Sequence, residues 1–334
     1  MALLTFVLRR FAGMLATLAV VSVIVFVIME LPPGDYAERY AFRKFSGGGQ
    51  AITESDLANI RAQFGLDRPA HQRYASWVAG IVLRFDFGPS FAFDTSVNQL
   101  IGERLGLTLV LLFTTLLLTY AIAIPVGIYA ATHRHGILDH TLTVFSYLGF
   151  ALPNFLIALV LMYLAVTVFD ANVGGLFSPA FRHAPWSAAR VVDLARHLVV
   201  PAVVLAWSAT AFQLQTVRST MSDEIHKLYV TAARARGLSE RQVLLRHPAR
   251  IAINPVVSTI SFDMNRIFSE LPIVALVLGL PELGELLIRA FIDLDMYVAG
   301  AILLLLTVGV VAMNFVSDVL LALLDPRARS SDAA

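Results

Sequence analysis

The chain has 334 residues, a formal net charge of +1 and no cysteine, with 57% hydrophobic residues against 15% charged and a mean hydropathy of +0.73. That composition excludes an ordinary soluble domain and a disordered chain, and places the sequence among polytopic membrane proteins. The lack of cysteine removes disulfides and thiolate chemistry, but assigns no compartment.

Uncharged apolar stretches cover residues 11–29, 105–132, 141–169, 198–217 and 298–317. At about 1.5 Å of rise per residue each can cross roughly 30 Å of hydrocarbon as a helix. A sixth stretch, 251–280, is interrupted by Asp263, Arg266 and Glu270. Unpaired backbone groups are costly in lipid, so these spans must be helices, and the alternation of a membrane barrel is absent. The fold expected is all-α and polytopic, with six transmembrane helices. Arg9 and Arg10 precede the first stretch as in a signal peptide, but no small-residue cleavage site follows and the chain reads on into ELPPGD. The first stretch therefore reads as an uncleaved anchor.

Four parts follow along the chain: an N-terminal tail and first helix (1–31), an external segment (32–104), a transmembrane core (105–323) containing the loop 218–250, and a tail (324–334). In the external segment Thr53 and Asp56 form a helix-start signature and Gly65 a stop. The run SGGGQ at 46–50 reads as a flexible connector. DRPAHQRYASWVAGIV reads as an amphipathic helix with Tyr74, Trp77 and Val78 on one side. That face suits packing at the outer mouth or contact with a solute. Pro125 and Pro153 fall within apolar runs and are expected to kink their helices. HRHGILDH at 133–140 offers His133, His135, Asp139 and His140 as possible metal ligands, or as polar residues of a short turn. No metal site is assigned there.

The loop 218–250 carries seven Lys/Arg against three acids, which sets it on the cytoplasmic side. An even number of spans then puts both termini in the cytoplasm, in agreement with Arg9, Arg10, Arg327 and Arg329, and puts the long segment 30–104 outside. Within the loop Ser222 can cap a helix running through Val230 to Arg236, Gly237 supplies a left-handed stop, and Ser239 with Gln242 opens a second helix as a capping box. Ala232, Ala233 and Ala235 leave one surface flat, ringed by Arg234, Arg236 and Arg241. Such a surface fits a groove on another protein, and its charge also fits a solvated loop obeying topology.

Beyond these local signals the chain resembles a known family. YVTAARARGLSERQVLLRHPARIAINPVV is similar to the cytoplasmic coupling loop of binding-protein-dependent ABC transporter permeases, in their dipeptide/oligopeptide/nickel branch. The resemblance extends through LPPGD, FGLDRPAHQRYASWV, DFGPS, TLVLLFTTLLLTYAIAIPVGIYAA, LPNFLIALVLMYL, LPELGELL and ALLDPRAR, which together cover nearly the whole chain. It implies the type I, MetI-like importer fold in a bacterial inner membrane. It also implies that Tyr229, Ala232, Ala233, Arg234, Arg236, Gly237 and Leu238 dock on a cytoplasmic ATPase. The partners implied are a second homologous permease, two ABC ATPase subunits or domains and an external solute-binding protein, with ATP and Mg held in the ATPases. Lipid surrounds the spans, and no nucleic-acid partner is expected. The two lysines, Lys44 and Lys227, lie in no G-x-x-x-x-G-K-[ST] pattern, so no residue here forms a P-loop and no catalytic residue is assigned. Solutes handled by this branch include peptides, the leading expectation, and also nickel complexes, opines, glutathione and oligosaccharides.

The fifth helix departs from the family pattern. Where relatives are rich in small residues this chain has Asp263, Arg266 and Glu270, and where relatives often carry a glutamate it has Ala275. Spacings of three and four place the three charges on one helical face, where Arg266 can pair with either carboxylate. They form either a polar translocation path or an internal lock between helices. Other classes are weaker. An intramembrane hydrolase lacks H-E-x-x-H and G-x-S-x-G, a channel does not need the docking loop, and a receptor or scaffold would bind an ATPase without moving solute.

Overall fold

The computed structural model describes residues 2–31, 37–38, 40–41, 53–170, 173–182 and 184–324. Pro32 to Asp35, Lys44, the glycine run at 46–50, and Arg327 and Arg329 lie outside them. In chain order the helices are α1 (Ala2–Glu30), α2 (Glu54–Phe64), α3 (Ala70–Arg84), α4 (Val97–Thr132), α5 (Ile137–Ala151), α6 (Asn154–Phe169), α7 (Ala188–Ile225), α8 (Leu228–Ala235), α9 (Glu240–Arg246), α10 (Pro248–Ser258), α11 (Ile260–Leu278), α12 (Leu283–Ile292) and α13 (Met296–Leu324). No strand is present among the described residues, only an isolated bridge between Pro89 and Ser96.

Helices α1, α4, α7 and α13 are each long and apolar enough to cross a bilayer. Two bent pairs, α5 with α6 at 107° and α11 with α12 at 83°, bring the total to the expected six if each counts as one span. The pair α5–α6 corrects the reading of 141–169 as one kinked helix. Proline disfavours the α conformation in the residue before it and donates no hydrogen bond, and here the helix stops rather than bends. Leu152 is accordingly extended, at φ −101° and ψ 125°, and α6 starts afresh behind Pro153. Pro125, by contrast, lies within a continuous α4. The stretch 251–280 divides at Thr259 into α10 and α11, and ends at Gly279 in a left-handed cap. The first helix starts earlier than its apolar run, so Arg9 and Arg10 lie inside α1, where Arg10 reaches Asp318 at 3.4 Å.

The chain forms two compact units. One comprises residues 1–14, 107–285 and 310–334, the other 15–106 and 286–309. In the first, α7 is the central member and packs against α5, α6, α10 and α11. Small residues let the backbones approach closely, as is usual between membrane helices. A Cβ on Gly149 of α5 would stand only 2.5 Å from the Cβ of Ala211 on α7. Asp139, almost fully buried at the start of α5, is gripped by the Arg218 guanidinium at 2.6 and 2.9 Å and also accepts from the His135 N–H. The single acid of HRHGILDH is thus committed to α7, and among the described residues no three His, Asp or Glu side chains gather as metal ligands.

The second unit contains the core Val25, Phe26, Met29, Trp77, Met296 and Leu304, against which Tyr74 and Val78 pack. The amphipathic face expected of α3 therefore serves packing within this unit. The Tyr74 hydroxyl meets Ser22 at 2.8 Å, and Arg73 pairs with Glu30 at the end of α1. Helix α2 starts with the Thr53–Asp56 capping box and stops at Gly65 in the left-handed region, as its sequence indicates.

Candidate coupling loop and intramembrane polar cluster

The loop 218–250 begins as the last turns of α7 and continues as two short helices bonded to it. Ser222, expected to cap a loop helix, is instead inside α7, which continues to Ile225 because nothing before His226 breaks the helical run. Its hydroxyl is buried and has no hydrogen-bond partner among the described residues. Helix α8 starts at Leu228 behind Lys227, and Glu224 ties the two helices together. This carboxylate, 6% exposed, accepts from the Lys227 ammonium and from the Tyr229 phenol, the latter at 2.6 Å. Burial, and then the neighbouring Glu224 carboxylate, push the Tyr229 phenol well above its usual range, so it stays protonated and donating at physiological pH.

Val230, Ala233 and Val243 form a small core between α8 and α9, with Tyr229 and Leu238 packed against it. Ala233, at 8% exposure, belongs to that core and not to the flat outer surface on which its sequence position seemed to place it. Gly237 makes the turn at φ 80°, where a side chain is strained although a Cβ would meet nothing within 4 Å. Its N–H closes α8 onto the Arg234 carbonyl at 3.0 Å. Ser239 and Gln242 form the capping box of α9. Arg234 holds Glu240 through Nε at 3.1 Å and a terminal nitrogen at 2.7 Å. That contact lowers the Glu240 carboxyl below its ordinary range and raises the Arg234 guanidinium. Arg234 is therefore a brace across the turn, while Ala232, Ala235, Arg236 and Gly237 are exposed. Beside this ridge lies a concavity of about 610 Å³ lined by Tyr229, Ala232, Arg236, Arg246, His247 and Arg250 among others, with no carboxylate in its lining.

The charges of α11 are also brought into one unit with α4, α6 and α7, but they do not pair with one another. Asp263, 2% exposed, accepts from the Tyr120 hydroxyl at 2.8 Å and from the Gln213 amide. Glu270 accepts from the Asn154 amide. Arg266 donates to the Ser208 carbonyl at 3.2 Å and lies over the Phe212 ring at 5.5 Å. Among the described residues no ion pair joins Arg266 to either acid, although the sequence spacing would allow one. Side chains three or four apart share a face, yet each here finds a partner on a neighbouring helix, so the cluster fastens α11 to three others. Arg266 and Glu270 remain partly exposed, and Ala275 is fully buried.

Several contacts of these charges were not singled out in sequence. Tyr120, Gln213 and Asn154 are ordinary polar residues in apolar runs, and only a buried charge elsewhere makes them partners. Glu282 had a signal in LPELGELL without an assigned role. It is fully buried at the bend between α11 and α12, where it accepts from the Glu285 N–H at 3.1 Å and the Thr108 hydroxyl at 3.3 Å, capping α12.

Residues 123–330 match the family described as "Binding-protein-dependent transport system inner membrane component". Residues 3–112 match the N-terminal model described as "Binding-prot-dependent transport system membrane comp, N-term". A Brucella suis biovar 1 protein that carries a peptide permease name is 32% identical over 327 residues, 97% of this chain and 99% of its own length. The oligopeptide transport system permease protein AppB of Bacillus subtilis is 30% identical over 323 residues, 96% of this chain and 98% of its own. The chain belongs to the family of binding-protein-dependent transport system inner membrane components, and is a permease subunit of an ABC importer.

Proposed function

We propose that this permease subunit imports peptides across the bacterial inner membrane by alternating access. The peptide assignment is supported by relatives aligned over nearly their whole length that carry peptide or oligopeptide permease names. Solute reaches the subunit from an external binding protein. The subunit pairs with a second, homologous permease, and two ATPase subunits or domains that hold ATP and Mg drive the cycle from the cytoplasm. Both termini and the loop 218–250 face that side, and the segment 32–104 is external.

The observation that carries this reading is the construction of the loop. Helices α8 and α9 share their own core, Gly237 presents their junction, and Glu224 bonds the first turn of α8 to the last turn of α7. A push on the exposed ridge at Ala232, Ala235, Arg236 and Gly237 is thereby delivered to a helix of 38 residues packed against α5, α6, α10 and α11. Within that bundle Asp263 acts as a fastening between helices, whereas the partly exposed Arg266 and Glu270 contact the moving solute. Reconstitution with the second permease, the ATPases and the binding protein tests the proposal. Peptide should stimulate ATP hydrolysis and accumulate inside proteoliposomes, and the loss of this stimulation with every peptide offered would overturn the assignment.

A further inference from the structure

A pocket in the second unit has no role in the cycle above. It measures about 170 Å³, and its lining includes Arg68, Arg73, Arg84, Trp77, Asp86 and Tyr297. Three guanidinium groups therefore border one small space. Arg73 is paired with Glu30, and Asp86 uses one oxygen to accept the Gly88 N–H at 3.0 Å. Among the described residues neither Arg68 nor Arg84 has an ion-pair partner, and both are exposed. Counting Glu30 and Asp86 against the three arginines leaves one positive charge uncompensated. A monoanion that only accepts hydrogen bonds would compensate that charge and take up the donors of Arg68 and Arg84.

The surroundings of the pocket point to where that anion comes from. At the C-terminal end of α3, Val82, Leu83 and Phe85 are 67%, 77% and 76% exposed on either side of Arg84. Phe85 is held in the left-handed region, at φ 53°, as the cap of the helix. Glu30, which holds Arg73, is the last residue of span α1, and Tyr297 is the second residue of span α13. The pocket thus lies level with the ends of two spans, at the bilayer interface, and an apolar flank beside a basic pocket is the composition of a lipid-contacting surface. A soluble anion would satisfy the arginines but would leave the three apolar side chains in water.

We propose that this pocket binds the phosphodiester of an anionic glycerophospholipid, with the acyl chains lying along Val82, Leu83 and Phe85. The lipid would secure α3 at the interface whichever solute is carried, so the site stands or falls independently of the peptide assignment. The test is native mass spectrometry of the full chain after exposure to phosphatidylglycerol or to phosphatidylcholine with the same acyl chains. Inorganic phosphate, glycerophosphoglycerol and a dipeptide serve as soluble competitors. Phosphatidylglycerol should be retained with a preference of about tenfold or more. Arg68→Gln with Arg84→Gln should abolish that preference, Val82→Ser with Leu83→Ser should weaken retention, and Arg134→Gln, the loss of a cation away from the pocket, should change neither. Arg68→Lys with Arg84→Lys keeps the charge and should keep much of the preference. Equal retention of both lipids by the wild-type chain, unchanged retention by the Arg68/Arg84 glutamine variant, or full displacement of lipid by one of the soluble anions would overturn the proposal.

Discussion

The Tyr229 phenol and the Glu224 carboxylate meet at 2.6 Å across the turn that joins α7 to α8. Because Glu224 is the second-last residue of α7 and Tyr229 the second residue of α8, this one bond makes a surface loop an extension of a membrane helix. In the coupling proposed above, its loss would let the turn at His226 and Lys227 absorb more of any displacement of α8.

Tyr229→Phe removes that bond and little else. A hydrogen bond to a charged partner contributes roughly 1.5–3 kcal/mol, and Glu224 keeps Lys227 as its counter-ion. The subunit should therefore insert and assemble normally, with less peptide taken up for each ATP hydrolysed. Parallel assays of ATP hydrolysis and uptake in proteoliposomes check this, with Glu224→Gln expected to have a larger effect because its single amide oxygen cannot accept from both Tyr229 and Lys227.

At Gly237 the obstacle to substitution is purely the backbone, since the space for a side chain is open. A left-handed residue bearing a Cβ costs about 1–2 kcal/mol, and asparagine tolerates the region better than β-branched residues. Gly237→Asn should be mild and Gly237→Val damaging to coupling, although valine is smaller than many side chains that would fit. Ala233→Glu is expected to act differently. It forces a carboxylate between Val230 and Val243, so hydrogen exchange over 228–246 should rise throughout rather than at the exposed ridge alone.

The partners of Asp263 predict an ordering among its variants. Asp263→Asn keeps an oxygen for Tyr120 and Gln213, whereas Asp263→Ala leaves the half-buried Tyr120 hydroxyl without this acceptor and Gln213 with Thr259 alone, at roughly 1–3 kcal/mol. Thermal unfolding in detergent should place the alanine variant clearly below the asparagine variant. Replacing Asp263, Arg266 and Glu270 together by small apolar residues should also destabilise the chain, because their partners lie on other helices and are not removed with them. A triple variant as stable as the wild type would show that the three charges do compensate one another.

Arg218 and Asp139 supply a harsher test of the bundle. Removing one member of a buried, doubly hydrogen-bonded pair strands the other, at about 3–5 kcal/mol. Arg218→Ala should therefore lower the yield of folded chain far more than Arg134→Ala, a cation from the neighbouring turn, as measured by the monodisperse fraction after purification.

What the sequence made legible was local. The capping boxes Thr53–Asp56 and Ser239–Gln242, and the stops at Gly65 and Gly237, need only residues within one turn of each other, and all four are present. The long apolar runs likewise specify spanning helices whatever packs around them. Decisions made by distant residues were harder to read. Hydropathy does not change across Leu152 and Pro153, so a break and a kink look alike until the two helices find different neighbours. The same holds for Ala233, whose burial depends on Val243, and for the α11 charges, whose partners lie as far away in sequence as Tyr120. The two short helices of the loop and their glycine turn were therefore legible in sequence, but Glu224, which joins them to α7, counted there only as one of three acids.

The central claim is that the loop transmits ATP-driven movement through α7, and the ratio of peptide imported to ATP hydrolysed measures it most directly. In a reconstituted assembly carrying Gly237→Val, hydrolysis should continue while that ratio falls about tenfold, the change expected when roughly 1.4 kcal/mol of coupling is lost. An unchanged ratio, in an assembly of normal composition and abundance, would contradict it.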